Sequence, residues 1–226
     1  MKVSDAANSR ISCRAFTDQP VSLNQIKQLL DVAKQAPSGG NLQPWEVFAF
    51  TGKKLEAIIQ DIENQLSEKP MGEKAEYDVY PPSLWEPYRS RRYKNGEDLY
   101  ACINVSREDK EGRRKQFIRN FKFFDAPVGL FLYLDKGMGP PQWSDVGMFI
   151  QTLMLYAREM GLHTCAQEAW AMWHSTVAKH VKPPENLMLF CGVGVGYMDE
   201  SFPINSLQTD RVEVEEFTKF YGFENS

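Results

Sequence analysis

Two arginines near the start of the chain are spaced so that both could contact one anion. The segment SRISCRAF places Arg10 and Arg14 four residues apart, with Ser12 midway between them. A guanidinium presents a planar fork of donors that matches phosphate oxygens. If the segment is helical, both arginines lie on one face and Ser12 supplies a hydroxyl at the helix entrance. The spacing therefore indicates a phosphate site, although a solvated helix end has the same pattern.

A second polar segment, APSGGNLQPW, follows after one predicted helix. Gly39 and Gly40 would let the backbone pass close to a flat ligand. Ser38, Asn41 and Gln43 offer neutral donors and acceptors that suit ring edges and hydroxyls. The alternative interpretation of the glycines is a simple turn after the helix.

Composition and charge disfavour several classes of protein. The net charge is -4, whereas proteins that bind nucleic acids usually carry the opposite balance. No apolar run reaches the roughly 20 residues that span a bilayer, and the first residues lack the apolar core of a signal peptide. The sequence therefore predicts a cytoplasmic protein without a membrane or nucleic-acid partner. The four cysteines are scattered and form no C-x-x-C pair, which fits a reduced compartment and disfavours structural zinc; they are Cys13, Cys102, Cys165 and Cys191.

Hydrophobic periodicity predicts an α+β chain. The predicted helices cover residues 21–37, 54–65 and 144–161, and the predicted strands cover 45–52, 124–136 and 187–199. Ser22 is the expected cap of the first helix, and Ser144 or Asp145 that of the third, with Gly161 at its end. The third helix is apolar around nearly its whole circumference, so it is expected at the centre of the fold or against a second subunit.

The segment 67–115 differs from the rest of the chain, which is interpreted as one domain over residues 1–226. It combines aromatic residues and arginines without clear periodicity. Two interpretations stay open, a solvated excursion or an aromatic lid over a pocket.

Familiar catalytic motifs are missing from the sequence. The stretch GVGVG lacks the last glycine of a dinucleotide loop, where Tyr197 stands, and is interpreted as a strand with close backbone approaches. His163, His174 and His180 form no close pair or H-E-x-x-H motif, so no metal site is expected. Neither G-x-S-x-G nor a P-loop is present, which leaves cofactor chemistry.

Taken together, SRISCRAF, APSGGNLQPW, DVGMFIQTLMLYAREMGLHTCAQEAW, GVGVGYMD and NSLQTDRVEVEEF resemble the flavin-dependent nitroreductase family. The resemblance covers almost the whole chain except the insert. The insert, the strand FDAPVGLFLYLD and the ending EEFTKFYGF look most like the branch that reduces nitrobenzoates and dinitroanilines. The resemblance implies a nitroreductase-like fold, in which a central mixed sheet is flanked by helices. It also implies an intertwined homodimer in which an extended arm, residues 212–223, embraces the partner.

The resemblance also places an FMN site on matching residues. The phosphate and nearby polar edges would contact Arg10, Ser12, Arg14 and Arg211, although Arg14 could instead approach the pyrimidine side of the ring. The other subunit would contribute Ser38, Gly39, Asn41 and Gln43. The flavin N5 would face the backbone of Gln167, Glu168 and Ala169, the last of which stands where family members often have glycine. Weaker candidates for acceptor contacts are Trp85, Tyr88 and Arg92.

The activity that the resemblance implies is NADH- or NADPH-dependent reduction of nitroaromatic or quinone-like acceptors by a ping-pong route through flavin N5. No side chain is assigned a catalytic role, because the cofactor carries the chemistry. Two alternatives stay open: a reductive dehalogenase or flavin-cleaving enzyme on the same scaffold, and a flavin-binding protein without turnover.

Overall fold

The computed structural model describes residues 1–223 of the 226. Its helices are α1 (Val3–Ser9), α2 (Leu23–Ala33), α3 (Gly52–Gln65), α4 (Tyr88–Cys102), α5 (Lys110–Ile118), α6 (Pro140–Glu159), α7 (His174–Val181) and α8 (Val214–Phe217). Its strands are β1 (Glu46–Thr51), β2 (Val128–Asp135), β3 (His163–Gln167) and β4 (Leu187–Gly196). Within these residues, no helix combines the length and the apolar character that crossing a bilayer requires.

The four strands form one sheet in the order β1-β2-β4-β3, and each neighbouring pair is antiparallel. The predicted architecture, a central sheet flanked by helices, is confirmed. The mixed character that was expected of the sheet is confined to a parallel bridge between Ser12 and Thr164, which lies beyond the edge strand β3. Hydrophobic periodicity does not predict β3, because its five residues HTCAQ alternate too little to stand out.

Helices cover both faces of the sheet and create two apolar clusters. On one face, Leu130 and Leu132 of β2 pack with α2 and α6. On the other face, Phe131 of β2 packs with α3, α7 and the helical turn that contains Trp170. Successive side chains of a strand point to opposite faces, so a strand buried on both faces reads as an unbroken apolar run. The run in β2, VGLFLYLD, has this character and was predicted correctly.

Three glycines leave a notch in the sheet that two large rings fill. A Cβ atom on Gly192 would lie 2.3 Å from Cδ1 of Trp170, and one on Gly129 would lie 2.4 Å from Cε2 of Phe123. Gly194 pairs with Gly129 in register and faces the Phe123 carbonyl. Phe123 and Trp170 stack inside the notch with their ring centroids 4.3 Å apart. The interpretation of GVGVG as a strand with close backbone approaches is therefore confirmed.

The N-terminus of α6 differs from the prediction. The helix begins at Pro140 after Gly139, one turn before Ser144 and Asp145. Proline suits the first helical position because its missing N–H has no partner there in any case. The Gly139 N–H donates to Oε1 of Gln142 at 3.2 Å, which gives this end a cap that the sequence analysis overlooked.

The other predicted helix ends agree better with the structure. Ser22 caps α2, because its Oγ accepts a hydrogen bond from the Gln25 N–H at 3.2 Å. The helix ends at Ala33, four residues before Pro37. Gly161 follows α6 with a φ of 74°, a left-handed conformation that glycine adopts without steric strain.

The insert contains two helices, α4 and α5, which the sequence analysis missed. Neither has the apolar stripe that marks an amphipathic helix, and their charged residues pair along the helix instead. Lys94 and Asp98 are 2.6 Å apart on α4, and Glu111 and Lys115 are 2.7 Å apart on α5. Such pairs four residues apart support a helix without producing hydrophobic periodicity.

We predict that Gly192→Ala lowers the free energy of unfolding by about 1–3 kcal/mol, because the added methyl group overpacks the notch against Trp170. Urea unfolding measures this change. The matched control is Gly96→Ala in α4, where no heavy atom lies within 4 Å of the added carbon. There, alanine should stabilise the helix by up to about 1 kcal/mol. If Gly192→Ala and Gly96→Ala changed the free energy of unfolding equally, the close packing of Trp170 against Gly192 would be contradicted.

Candidate functional site

The two arginines near the N-terminus lie after a helix, not at the start of one. α1 ends at Ser9, Arg10 is already extended, and Ser12 forms the parallel bridge with Thr164. The expectation that Ser12 stands at a helix entrance is therefore wrong. In an extended segment, residues i, i+2 and i+4 share one face, so Arg10, Ser12 and Arg14 still point to the same side.

These three residues and Arg211 line one cavity of about 330 Å³. The cavity contains no acidic lining residue, and its other lining residues are Ala7, Asn8, Ile11, Leu207, Gln208 and Thr209. Among residues 1–223, no carboxylate forms an ion pair with any of the three arginines, although other arginines of the chain do form such pairs. A chain of net charge -4 thus gathers three uncompensated guanidinium groups around one small cavity.

The donor set of this cavity fits a phosphate monoester. Three guanidinium groups and a hydroxyl can donate to the three terminal oxygens of a dianion. Arg211 is held in place by its own loop, since its Nη1 donates to the Thr209 Oγ1 at 2.6 Å and to the Asp210 carbonyl at 2.8 Å. Other N–H groups on these arginines remain available to a ligand.

Asn205 positions Arg14, a role that the sequence analysis missed. Its buried side chain accepts a hydrogen bond from the Arg14 N–H at 2.8 Å and donates to the carbonyls of Ala15 and Asp199 at 2.8 and 2.9 Å. The amide therefore ties the arginine segment to the chain after β4. A single asparagine carries no periodic signal that could have identified this role.

The second polar segment lies outside this cavity. Ser38, Gly39, Asn41 and Gln43 form a tight turn that begins after α2, and none of them lines the cavity. The Gln43 N–H donates to Ser38 Oγ at 2.9 Å. Gly39 N–H donates to the buried carboxylate of Asp145 in α6 at 3.2 Å, so α6 fixes the position of the turn. Within one chain, the structure does not bring the two polar segments together.

The turn after β3 holds the third predicted group of residues. The Gln167 side chain is buried and donates to the Asn120 carbonyl at 2.8 Å, whereas Glu168 is exposed and Ala169 is half-buried. β3 connects this turn with the arginine segment, because Thr164 bridges to Ser12 and Gln167 ends the same strand. The two features are therefore about 10 Å apart along the strand, given a rise of about 3.3 Å per residue.

The candidate acceptor contacts in the insert separate into two places. Trp85 and Tyr88 are exposed and pack edge to face, with ring centroids 5.6 Å apart. The guanidinium of Arg92 lies 4.2 Å from the ring centroid of Tyr80 and lines a separate cavity of about 540 Å³. Neither Trp85 nor Tyr88 lines that cavity.

Ionisable groups next to the arginine segment are held neutral. Burial raises the pKa of the Cys13 thiol to about 12 and that of Cys165 to about 11. Burial, followed by the nearby Arg158 guanidinium, lowers the pKa of His163 to about 4. A thiol with a raised pKa is a poor nucleophile, because the thiolate is the reactive form. Within residues 1–223, no group of three His, Cys, Asp or Glu residues is arranged to hold a metal ion.

Comparison with known proteins agrees with the resemblance found in the sequence. Residues 7–197 match the Nitroreductase family. The chain is 36% identical to the chloronitrobenzene nitroreductase of Comamonas testosteroni over 96% of both proteins. It is also 36% identical to the 4-nitrobenzoate reductase of Pseudomonas putida, over 96% of this chain and 94% of that protein. The crystal structure of the FMN- and NADPH-dependent nitroreductase NfnB of Sphigopyxis sp. strain HMH superposes with a TM-score of 0.95. It is 41% identical and covers 99% of this chain and 100% of that one.

We predict that His163 makes stability depend on pH between about 6.5 and 4. The imidazole has a pKa near 6.5 when unfolded and about 4 when folded, so the unfolded state binds the proton first as the pH falls. Its contribution to stability is therefore complete above pH 6.5 and declines towards pH 4. Arg158 Nη1 lies 3.3 Å from His163 Nδ1, so His163→Gln should remove that part of the pH dependence while keeping an acceptor for Arg158. The midpoint of urea unfolding, measured at several pH values in this range, tests the prediction. The same dependence of the midpoint on pH in the unmodified protein and in His163→Gln would contradict it.

Proposed function

Since the chain belongs to the nitroreductase family, we propose that it is an FMN-dependent oxidoreductase that uses NADH or NADPH to reduce nitroaromatic or quinone-like acceptors. The observation that carries the proposal is the cavity lined by Arg10, Ser12, Arg14 and Arg211. Its size and unpaired positive charge suit a terminal phosphate monoester, which FMN has and riboflavin lacks.

The chain contributes binding and orientation. Arg10, Ser12, Arg14 and Arg211 hold the phosphate, and the backbone of residues 167–169 borders the ring system at the end of β3. FMN, when bound, supplies the hydride and electron transfer. The three guanidinium groups create a positive field that favours an anionic ligand. No side chain is assigned an acid, base or nucleophile role, in keeping with the raised pKa values of Cys13 and Cys165.

The working unit that we propose is a homodimer with two composite sites. Ser38, Gly39, Asn41 and Gln43 lie outside the arginine cavity of their own chain, so they are available to the site of a partner. Met148 on α6 is 39% exposed, and the arm ends in four exposed aromatic residues, Phe217, Phe220, Tyr221 and Phe223. Exposed apolar surface of this kind marks a protein interface. The buried, unpaired Cys13, Cys165 and Cys191 suit the cytoplasm that we propose as its location.

The proposed activity can be tested on the purified protein. Mass spectrometry should find FMN, and NADH or NADPH should bleach the bound flavin under anaerobic conditions. The bleached protein should then be reoxidised by 4-nitrobenzoate, nitrobenzene or a quinone, with the parallel reciprocal plots of ping-pong kinetics. Turnover of a halogenated phenol without nitro reduction would favour the dehalogenase alternative. Bound FMN that neither nicotinamide bleaches would favour a binding protein without turnover, and FAD would contradict the proposal.

We predict that Arg211→Gln and Arg10→Gln each weaken FMN binding roughly tenfold to a hundredfold, because each removes a charge-assisted hydrogen bond worth about 1.5–3 kcal/mol. Quenching of flavin fluorescence by the apoprotein measures the affinity. Riboflavin binding should change little, since riboflavin has no phosphate. The control is Lys115→Gln, because the Lys115 ammonium already pairs with Glu111 on α5. Equal losses for FMN and riboflavin would mean that the arginines do not contact the phosphate.

We predict that two defective chains complement each other when their defects lie in different polar segments. A mixture of Arg10→Gln and Asn41→Gly chains forms heterodimers in which one of the two sites is intact. In a random mixture about a quarter of all sites should then bind FMN normally. Glycine is chosen at position 41 because Asn41 has a φ of 56°.

The matched control for this experiment mixes Arg10→Gln with Arg211→Gln. Both residues line the cavity of one chain, so every site in that heterodimer carries one defect. FMN binding should therefore stay low in this mixture. The composite site would be contradicted if FMN binding recovered in both mixtures. It would also be contradicted if FMN binding recovered in neither mixture although heterodimers form.

A further inference from the structure

Helix α7 begins without a cap of its own. The residue before it is Trp173, whose side chain forms no capping hydrogen bond. The first N–H groups of a helix have no partner inside the helix and need one elsewhere. Thr176 lies in the first turn of α7 and is completely buried, so its N–H is shielded from water. The partner must therefore come from another part of the chain.

Glu73, near the start of the insert, is that partner. Its Oε2 accepts hydrogen bonds from the Ser175 and Thr176 N–H groups at 2.9 and 3.1 Å. Its Oε1 accepts from Thr176 Oγ1 at 2.9 Å and from Lys69 Nζ at 3.4 Å. Burial raises the pKa of the Glu73 carboxyl, but these hydrogen bonds outweigh burial and hold that pKa below its usual value. An ionised carboxylate 102 positions away from Ser175 in the chain thus caps α7.

The backbone of the same segment holds the residue before this helix end. The Glu73 N–H donates to the Met172 carbonyl. Gly72 has a φ of 79°, and a Cβ atom on it would lie 2.8 Å from the Met172 carbonyl oxygen, closer than side-chain carbons approach. Only glycine therefore fits this position. Gly72 and Glu73 together form a clasp over the junction between Met172 and α7.

The clasp fixes one end of the turn after β3, Glu168–Trp173, which continues directly into α7. The middle of this turn is held by the stack of Trp170 on Phe123. Its start is the backbone of residues 167–169, which we place beside the flavin ring, and the last of these is three positions before Met172. A displacement at the clasp is therefore transmitted to the ring side of the site.

We propose that Glu73 is a positioning residue of the flavin site, whose carboxylate holds the backbone of residues 167–169 in place against the ring. The start of the insert then acts on the site independently of α4 and α5. Neither Gly72 nor Glu73 lines the arginine cavity, so the clasp affects the ring end and leaves the phosphate contacts intact. This inference rests on the proposed function, because it concerns the cofactor of that reaction.

The test compares Glu73→Ala with Glu73→Gln in the holoprotein. Alanine removes all four hydrogen bonds, whereas the amide oxygen of glutamine can take the place of Oε2 and keep both backbone N–H bonds. In Glu73→Ala, bleaching of the bound FMN by NADH or NADPH should slow roughly tenfold to a hundredfold, because the ring is misplaced. The visible absorption spectrum of the bound flavin should change as well. Glu73→Gln should restore most of both properties.

Binding distinguishes the ring end from the phosphate end. Glu73→Ala should weaken FMN and riboflavin binding by the same factor, whereas Arg211→Gln should weaken only FMN binding. The matched control is Glu97→Ala, which removes another insert carboxylate with two hydrogen bonds, from Arg113 at 2.8 and 2.9 Å. It should leave the bleaching rate, the spectrum and both affinities unchanged. Gly72→Ala, which keeps the carboxylate but displaces the clasp from Met172, should reproduce the effects of Glu73→Ala and replaces it if that variant does not fold.

Hydrogen exchange of the flavin-free protein separates this inference from the proposed function. The amides of residues 168–176 should exchange faster in Glu73→Ala than in the unmodified protein, while those of α2 stay protected. A protein that binds no flavin contradicts the proposed function, and the exchange rates still decide whether Glu73 holds the turn. The inference would be overturned by unchanged exchange in the turn. It would also be overturned by an unchanged bleaching rate and spectrum in Glu73→Ala, or by equal effects of Glu97→Ala.

Discussion

The stacking of Phe123 on Trp170 inside the glycine notch is the contact on which the rest of the site depends. The rings approach to 4.3 Å because Gly129, Gly192 and Gly194 have no side chains on that side of the sheet. Trp170 belongs to the turn that follows β3, so the stack fixes the backbone after Gln167. The chain next to Phe123 also holds the N-terminal segment, since the Phe124 carbonyl accepts a hydrogen bond from the Phe16 N–H at 3.2 Å. One packing contact therefore positions both the arginine segment and the turn at the far end of β3.

The distribution of charge supports the proposed anion site of this mildly acidic protein. Several ion pairs join side chains three or four residues apart and neutralise charge locally, as Lys94 and Asp98 do on α4. The cavity beside Ser12 departs from this pattern, because its three guanidinium groups form no ion pair with a carboxylate among residues 1–223. Such an arrangement is electrostatically unfavourable in the free protein and becomes favourable when a dianion binds. Relief of the repulsion between the three guanidinium groups would therefore contribute to the affinity of the proposed site for a phosphate.

The sequence was informative where a residue acts through its neighbours along the chain. Ser22 and Gly161 are local signals of a helix end, and the buried run of β2 is a local signal of a strand. Arg10 and Arg14 were predicted to share one face of a helix, but the segment is extended. They share a face all the same, because residues i and i+4 lie on the same side of both a helix and an extended segment.

Contacts between distant segments could not be predicted in the same way. Asn205 orients Arg14 across 191 positions of the chain, and Gly39 meets Asp145 across 106. Helices α4 and α5 escaped detection because ion pairs, and not an apolar stripe, support them. The roles of these residues depend on tertiary packing, and the periodicity of a single sequence does not show which distant segments pack together.

The electrostatics around β3 also explain why the site needs no reactive side chain. Burial raises the pKa values of Cys13 and Cys165 to about 12 and 11, and burial with Arg158 lowers that of His163 to about 4. All three groups are therefore uncharged near neutral pH, so they add no charge of their own beside the guanidinium groups of the arginine segment. A neutral buried thiol is also a weak nucleophile, so it does not compete for an electrophilic acceptor. A site with fixed positive charge and unreactive neighbours suits a protein that binds and orients a redox cofactor while its own side chains take no part in bond making.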